Sequence, residues 1–272
     1  MIKENSIEKG INSFQLKLLG IFFMTLDHVG MYILNSGIGS HPIRIIGRIA
    51  APLFLYVVVN SSQHKKSKLK FALRLYIAHI LICLLTLLSS TFGRDWFLTS
   101  DQFSILSTFV YTVIYIWVIE NIINFKKEND KRKLFMYLII GIIITLLPII
   151  LIILKSQFET IYAIFIPNVL TVPYSPIFIL MGICWYFIKE RKGQIIILIS
   201  FSFFSLIGAY IMNGSAILIF TDFFNMNQFW MILFLPLLYL YNGKKGKSMK
   251  YFFYIYYPVH IFVLMFIGNQ LL

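Results

Sequence analysis

Charge is scarce in this chain: only 13% of its 272 residues are Asp, Glu, Lys or Arg. Soluble domains carry about a quarter, so a water-soluble globule is not expected. Glycine and proline are sparse too, at 15 and 8, which excludes a collagen-like rod and a low-complexity disordered chain. The two cysteines, Cys83 and Cys184, both lie inside apolar runs. Neither a disulfide framework nor a Cys-based metal site is suggested by them, and no metal is expected. No serine-centred elbow, phosphate-cradling glycine loop or HExxH pattern is present, so hydrolase, ATPase and zincin readings lack a warrant. What the chain has instead is apolar residues, 59% of the total, and that composition points to a polytopic membrane protein.

A bilayer core of about 30 Å needs roughly 20 apolar residues per helix. Runs of that kind fall at about 14–34, 43–60, 69–90, 104–124, 134–154, 174–188, 194–213, 228–241 and 251–270, which predicts an all-α bundle of about nine transmembrane helices in a single domain over residues 1–272. Two runs, 174–188 and 228–241, are short and open to a tilted or re-entrant reading. The first run ends without a small-residue cleavage pattern and reads as a retained span.

Basic residues test this division independently, because short cytoplasmic loops carry the excess of Lys and Arg. The clusters alternate: Lys3, Lys9 and Lys17; Lys65, Lys66, Lys68 and Lys70; Lys126, Lys127, Lys131, Arg132 and Lys133; Lys189, Arg191 and Lys192; Lys244, Lys245, Lys247 and Lys250. Only Arg94 and Lys155 fall on the other side. The expected orientation is N-terminus cytoplasmic, in a bacterial cytoplasmic membrane. The net charge of +13 is thereby mostly membrane topology, and nucleic acid is not an expected partner. The outer connection 155–173, with Phe158, Tyr162, Phe165, Pro167 and Pro173, is expected to lie at headgroup level.

Charge inside a span costs several kcal/mol by insertion scales and marks a candidate site. Asp27 and His28 lie about 10 Å from the outer end of the first span, and Arg48 about 8 Å into the second, at 1.5 Å per residue. Arg44 and Arg48 are four apart and share a helix face. Gly47, Ala50 and Ala51 beside them permit close approach of another helix, so an Asp27–Arg48 ion pair is expected across the tight outer turn. A pair that merely locks two helices competes with a functional one. His28 favours function, since an imidazole beside a carboxylate and guanidinium groups exchanges protons near neutral pH. His260 lies mid-span after Tyr254, Tyr256, Tyr257 and Pro258, where the proline frees a backbone carbonyl and predicts a kink. Arg74 lies one turn inside the third span, with Glu120 as its expected partner or else solvated. His79 and Cys83 read as packing.

Three segments carry a family resemblance. Leu16-Lys-Leu-Leu-Gly-Ile-Phe-Phe-Met-Thr-Leu-Asp27-His28-Val-Gly30 resembles the opening helix of the TraX family. Ile43-Arg44-Ile-Ile-Gly47-Arg48-Ile-Ala-Ala-Pro52-Leu-Phe resembles its second helix. Leu240-Tyr241-Asn242-Gly243-Lys-Lys-Gly246, followed by Tyr254-Ile-Tyr-Tyr257-Pro258-Val-His260, resembles its closing signature. Members are membrane proteins named for acetylating the N-terminal amine of conjugative pilin, and they are similar to membrane acyltransferases. The resemblance implies acetyl-CoA as donor and an exported pilin, peptide or glycan as acceptor. It implies His28, Asp27 and His260 as catalytic groups, with Asp27 holding the tautomer of His28, and Arg44, Arg48 and Tyr257 as acceptor or oxyanion ligands. The donor's phosphates are expected at Lys65, Lys66, Lys68, Lys70 and Arg74. A glycan O-acetyltransferase, a small transporter and a structural subunit of a surface-assembly apparatus remain as alternatives.

Overall fold

A backbone that crosses lipid must satisfy its own amides, and an apolar run does so as a helix. Helices fill the structure, a computed structural model that describes residues 10–34, 42–91, 104–153, 164–170, 172–212 and 228–271. In chain order they are α1 (Ser13–Tyr32), α2 (Pro42–Gly47), α3 (Ala50–Gln63), α4 (Lys68–Thr91), α5 (Leu106–Lys127), α6 (Lys131–Ile153), α7 (Ser175–Phe187) and α8 (Arg191–Met212). A 3₁₀ segment (Gln228–Phe234), α9 (Leu235–Leu240) and α10 (Lys250–Leu271) complete the order. Among the described residues there is no strand, only an isolated parallel bridge between Ile11 and Tyr241. Lys3, Lys9, Arg94, Lys155, Phe158, Tyr162 and the side chains of Lys250 and Tyr254 lie outside what is described.

Four stretches are long and apolar enough to cross a bilayer: Pro42–Gln63, Leu106–Lys127, Lys131–Leu151 and Arg191–Ile211. Shorter apolar helices occupy Ser175–Phe187, Gln228–Leu240 and Ile255–Gly268. Helix α6 is the clearest case, because only 6% of its apolar window is buried and Phe135 and Ile142 are 65% and 56% exposed. A helix that is apolar all round and uncovered by protein belongs in lipid. Its basic end is set by a short turn. Asn129 adopts a left-handed φ of 57°, and the Lys133 amide donates to the Asp130 carboxylate at 3.0 Å. That hydrogen bond, with the Lys133 ammonium, holds the Asp130 carboxyl below the usual carboxylate range.

Prolines divide two expected spans. Pro52 has no N–H to return to the Arg48 carbonyl four residues back, and the chain tightens just there: the Arg48 amide reaches both Arg44 and Ile45 carbonyls at 3.2 Å, separating α2 from α3. The run 228–241 begins as a 3₁₀ segment and becomes α-helical only at α9, which carries Pro236 in its first turn, a position where proline fits. Pro258, by contrast, sits inside α10 without ending it.

The described residues group into two units. The first gathers those of Met1–Val58, Phe187–Ile217 and Phe223–Leu272, the second those of Val59–Tyr186. The first unit is centred on Leu16, Leu53, Leu198, Met231, Phe234 and Leu238, all essentially inaccessible. The Tyr56 ring meets Phe234 and Tyr241 edge-on, and its hydroxyl donates to Gln194 at 2.8 Å. In the second unit Tyr111, Val169, Val172 and Ile179 form a buried cluster. The described part of the outer connection, expected at headgroup level, is tied into this unit. Tyr76 donates to the Phe165 carbonyl at 2.5 Å, Thr108 to Pro173 at 2.7 Å, Tyr111 to Pro167, and the Asn168 amide to Pro148 at 3.1 Å. Non-helical backbone is tolerated at membrane depth where protein groups satisfy it in this way.

Candidate functional site

The first unit builds its polar centre around α1, whose start is clamped before anything else. Asn12 caps the helix, accepting from the Phe14 and Gln15 amides at 3.0 Å, while Gln15 returns a bond to the Asn12 amide, completing a capping box. The Asn242–Gly246 signature then grips this end. The Asn242 side chain donates to the Gly10 carbonyl at 2.7 Å, and the Ser13 amide donates to Lys244 at 2.8 Å. Gly246, at φ 67°, lies against the Asn12 side chain, where a side chain of its own would collide. Arg191 fixes the other flank by donating to the carbonyls of Tyr239 and Tyr241. The signature is thus a structural clamp on the first helix.

Further along, α1 meets two partners. Asp27 packs on Gly47 and Gly20 on Leu53 and Phe54, so numbers rise on one chain and fall on the other: α1 runs antiparallel to α2 and α3. A Cβ placed at Gly47 would fall 2.5 Å from that of Asp27, so only glycine allows this approach. It brings the expected ion pair into being. Arg48 Nη2 donates to both Asp27 oxygens, at 3.0 and 3.1 Å, and Arg44 Nε donates to Oδ1 at 3.3 Å. Both guanidiniums are nearly buried, with side chains 7% and 10% exposed. Two cations share this one carboxylate.

Helix α10 lies on another side of α1. Phe14 meets Phe253, Thr25 bonds Tyr256 and His28 bonds His260, rising together, so α1 and α10 run parallel. His28 Nδ1 is 2.9 Å from His260 Nε2, and His260 Nδ1 is 2.9 Å from the Tyr256 carbonyl. The Tyr256 ring stacks on His260 with centroids 5.0 Å apart and 11° between planes. Thr25 donates to its own Ile21 carbonyl at 2.8 Å, so the Tyr256 hydroxyl donates to Thr25 at 2.7 Å. Tyr32 stacks on the free edge of this group, 5.7 Å from His28, and Tyr257 is tilted against His260 at 5.7 Å.

Consecutive helical residues point about 100° apart, which explains how Asp27 and His28 divide their work. Asp27 turns to α2 and is bonded by the arginines. His28 turns to α10 and is bonded by His260, so its orientation comes from that ring and not from Asp27. Thr25 does not stand out in the sequence, and Tyr256 does so only as a neighbour of His260. The i, i+3 spacing of Thr25 and His28 was the available signal, but it acquires meaning only once α10 is known to lie alongside.

The lysine-rich stretch belongs to the second unit. Lys66 and Lys70 are exposed, the Lys65 ammonium sits 5.6 Å over the Phe71 ring, and Arg74 Nε donates to the Lys70 carbonyl at 3.1 Å. Lys68 is engaged: its ammonium is 2.6 Å from Glu120, whose carboxylate also accepts from the Tyr186 hydroxyl. Glu120 therefore pairs with Lys68, in place of the expected Arg74. His79 is fully buried with the Cys83 sulfur 3.6 Å away, and among the described residues no group of three metal-ligating side chains gathers.

An all-helical membrane protein with an ionic and imidazole cluster inside its first unit is the class these observations define. The profile of the family described as TraX protein matches residues 13–268, and the chain belongs to the TraX family. The probable fimbrial assembly protein FimC, serogroup H1, of Dichelobacter nodosus is 23% identical over 278 residues, covering 93% of this chain and 94% of the relative. No solved structure matches the chain.

Proposed function

We propose that the protein is a membrane acetyltransferase that moves an acetyl group from acetyl-CoA to an exported acceptor, foremost the N-terminal amine of a pilin or peptide. The observation that carries this reading is the juxtaposition of an imidazole pair with two guanidiniums on a single carboxylate. Acyl transfer needs both parts: a base for the amine proton, and fixed positive charge where the carbonyl oxygen becomes an oxyanion. His28 is the base in this scheme. Arg44 and Arg48 hold the oxyanion or an acidic group of the acceptor, and Asp27 keeps the two guanidiniums together against their mutual repulsion. Membership in the TraX family, together with a relative named for fimbrial assembly, supports a pilin-type acceptor.

The lysine-rich ends face the cytoplasm in this reading, where Lys65, Lys66, Lys70 and Arg74 attract the donor's phosphates over distance, a role that requires no fixed geometry. The test is acetyl transfer from radiolabelled acetyl-CoA to pilin-derived peptides by the full chain in micelles. Wild-type protein is expected to label the peptide N-terminus, and His28→Ala to lose roughly 10²- to 10⁴-fold in rate. Equal rates in wild type and variant would remove His28 from the reaction. Absence of any labelled acceptor would remove the reaction itself.

A further inference from the structure

The acceptor chemistry of the histidine pair fixes where its protons sit. A carbonyl oxygen only accepts, so the 2.9 Å contact from His260 to the Tyr256 carbonyl puts a hydrogen on His260 Nδ1. In a neutral ring Nε2 is then bare, and the 2.9 Å contact to His28 requires His28 Nδ1 to be the donor. His28 Nε2 is left as the lone pair at the end of this chain, with no hydrogen bond among the described residues. The geometry points to His260 as a positioning residue: anchored by the Tyr256 carbonyl, it holds His28 in the tautomer whose Nε2 accepts a proton, and is not itself a second base.

This inference rests on the transferase reading above and specifies the part His260 plays in it. The neutral acceptor amine attacks the thioester carbonyl, its lone pair forming the C–N bond while the carbonyl electrons move onto oxygen. His28 Nε2 takes the proton that the nitrogen must lose. Collapse of the tetrahedral intermediate breaks the C–S bond, and the departing thiolate receives that proton back, so amine and thioester become amide and thiol. While His28 is an imidazolium, its Nδ1–H bond to His260 Nε2 strengthens, because one partner is then charged. An aspartate does this in a hydrolase triad. Here a neutral ring is backed by a carbonyl, and Asp27, the neighbouring acid among the described residues, is bonded to the arginines. The Tyr256 hydroxyl bond to Thr25 and its ring stacked on His260 hold the backing ring in plane.

The decisive measurement is nitrogen-15 NMR of the histidine side chains in the full-length protein in micelles, with the His28 signals assigned by their loss in His28→Gln. The wild type is expected to show His28 protonated on Nδ1 and bare on Nε2, and His260→Leu to shift His28 toward the opposite tautomer. In the transfer assay His260→Leu is expected to lower kcat roughly 10²- to 10³-fold, with KM little changed. His260→Gln, whose amide oxygen can accept from His28 Nδ1, is expected to recover most of that loss. A wild-type His28 carrying its proton on Nε2, or a doubly protonated pair at neutral pH, would overturn the assignment without recourse to any variant. So would a Gln variant as inactive as the Leu variant with the His28 tautomer intact, which would make His260 the reacting base. Wild-type protein with the expected tautomer but no acetyl transfer would overturn the transferase function alone.

Discussion

Each unit holds a partly buried carboxylate at a helix interface, and the two are built differently. In the second, Glu120 meets one ammonium and one phenol, a balanced set of one negative and one positive charge. In the first, Asp27 meets two guanidiniums, and an imidazole pair adjoins them. A balanced pair has nothing left to attract and reads as a staple between α4, α5 and α7. The first cluster sets two guanidiniums and an imidazole pair around one described carboxylate, in a place where desolvation makes charge costly, and in the proposed transferase that arrangement meets a developing oxyanion.

The sharpest way to break the comparison is Asp27→Leu. It removes the carboxylate that Arg44 and Arg48 share and is expected to destabilise the first unit by about 3–5 kcal/mol, read from denaturant unfolding in micelles. Gly47→Ala comes next, since its methyl meets the Asp27 backbone and pushes α2 off α1. Overpacking of this kind costs about 1–3 kcal/mol, and acetyl transfer should fall with it because Arg48 moves too. Thr25→Val removes one hydroxyl bond to Tyr256 for about 1 kcal/mol. Combined with Tyr256→Phe it should cost less than the sum of the two changes, which a double-mutant cycle measures. The smallest effect is expected in the second unit: Glu120→Gln should cost about 1 kcal/mol or less and leave transfer at the wild-type rate. If Glu120→Gln stopped transfer as His28→Ala does, the distinction between staple and site would be lost.

Much of this architecture is legible in the sequence, for identifiable reasons. Apolar runs mark helices because backbone and lipid leave no other option, and the Asp27–Arg48 pair follows because matching depth and Gly47 are both local features of adjacent spans. The division of α2 from α3 was also present in principle, in Pro52, but span counting averages over a single missing amide. The contact between His28 and His260 was beyond reach. They are 232 residues apart, and no periodicity says which of several apolar helices will lie beside α1. The same limit left Glu120 open between Arg74 and solvent, where the structure pairs it with Lys68, since the side on which α5 presents its acid depends on helix rotation, not on depth. The Asn242–Gly246 signature was recognisable as a pattern, yet its task emerges only where its carbonyls and amides meet the start of α1.

The distance along the chain between the two histidines has a consequence for how the protein is made. His28 enters the membrane with the first helix, and its partner is synthesised 232 residues later, a delay of roughly 10–50 s at ribosomal speed. Throughout that interval α1 carries an imidazole with no orienting ring. On the proposed assignment the tautomer is set when α10 lies parallel to α1, and the Asn242–Gly246 clamp, which precedes α10 in the chain, holds the start of α1. In the proposed transferase the orienting ring therefore arrives with α10, and a chain cleaved between α9 and α10 is expected to lack acetyl transfer.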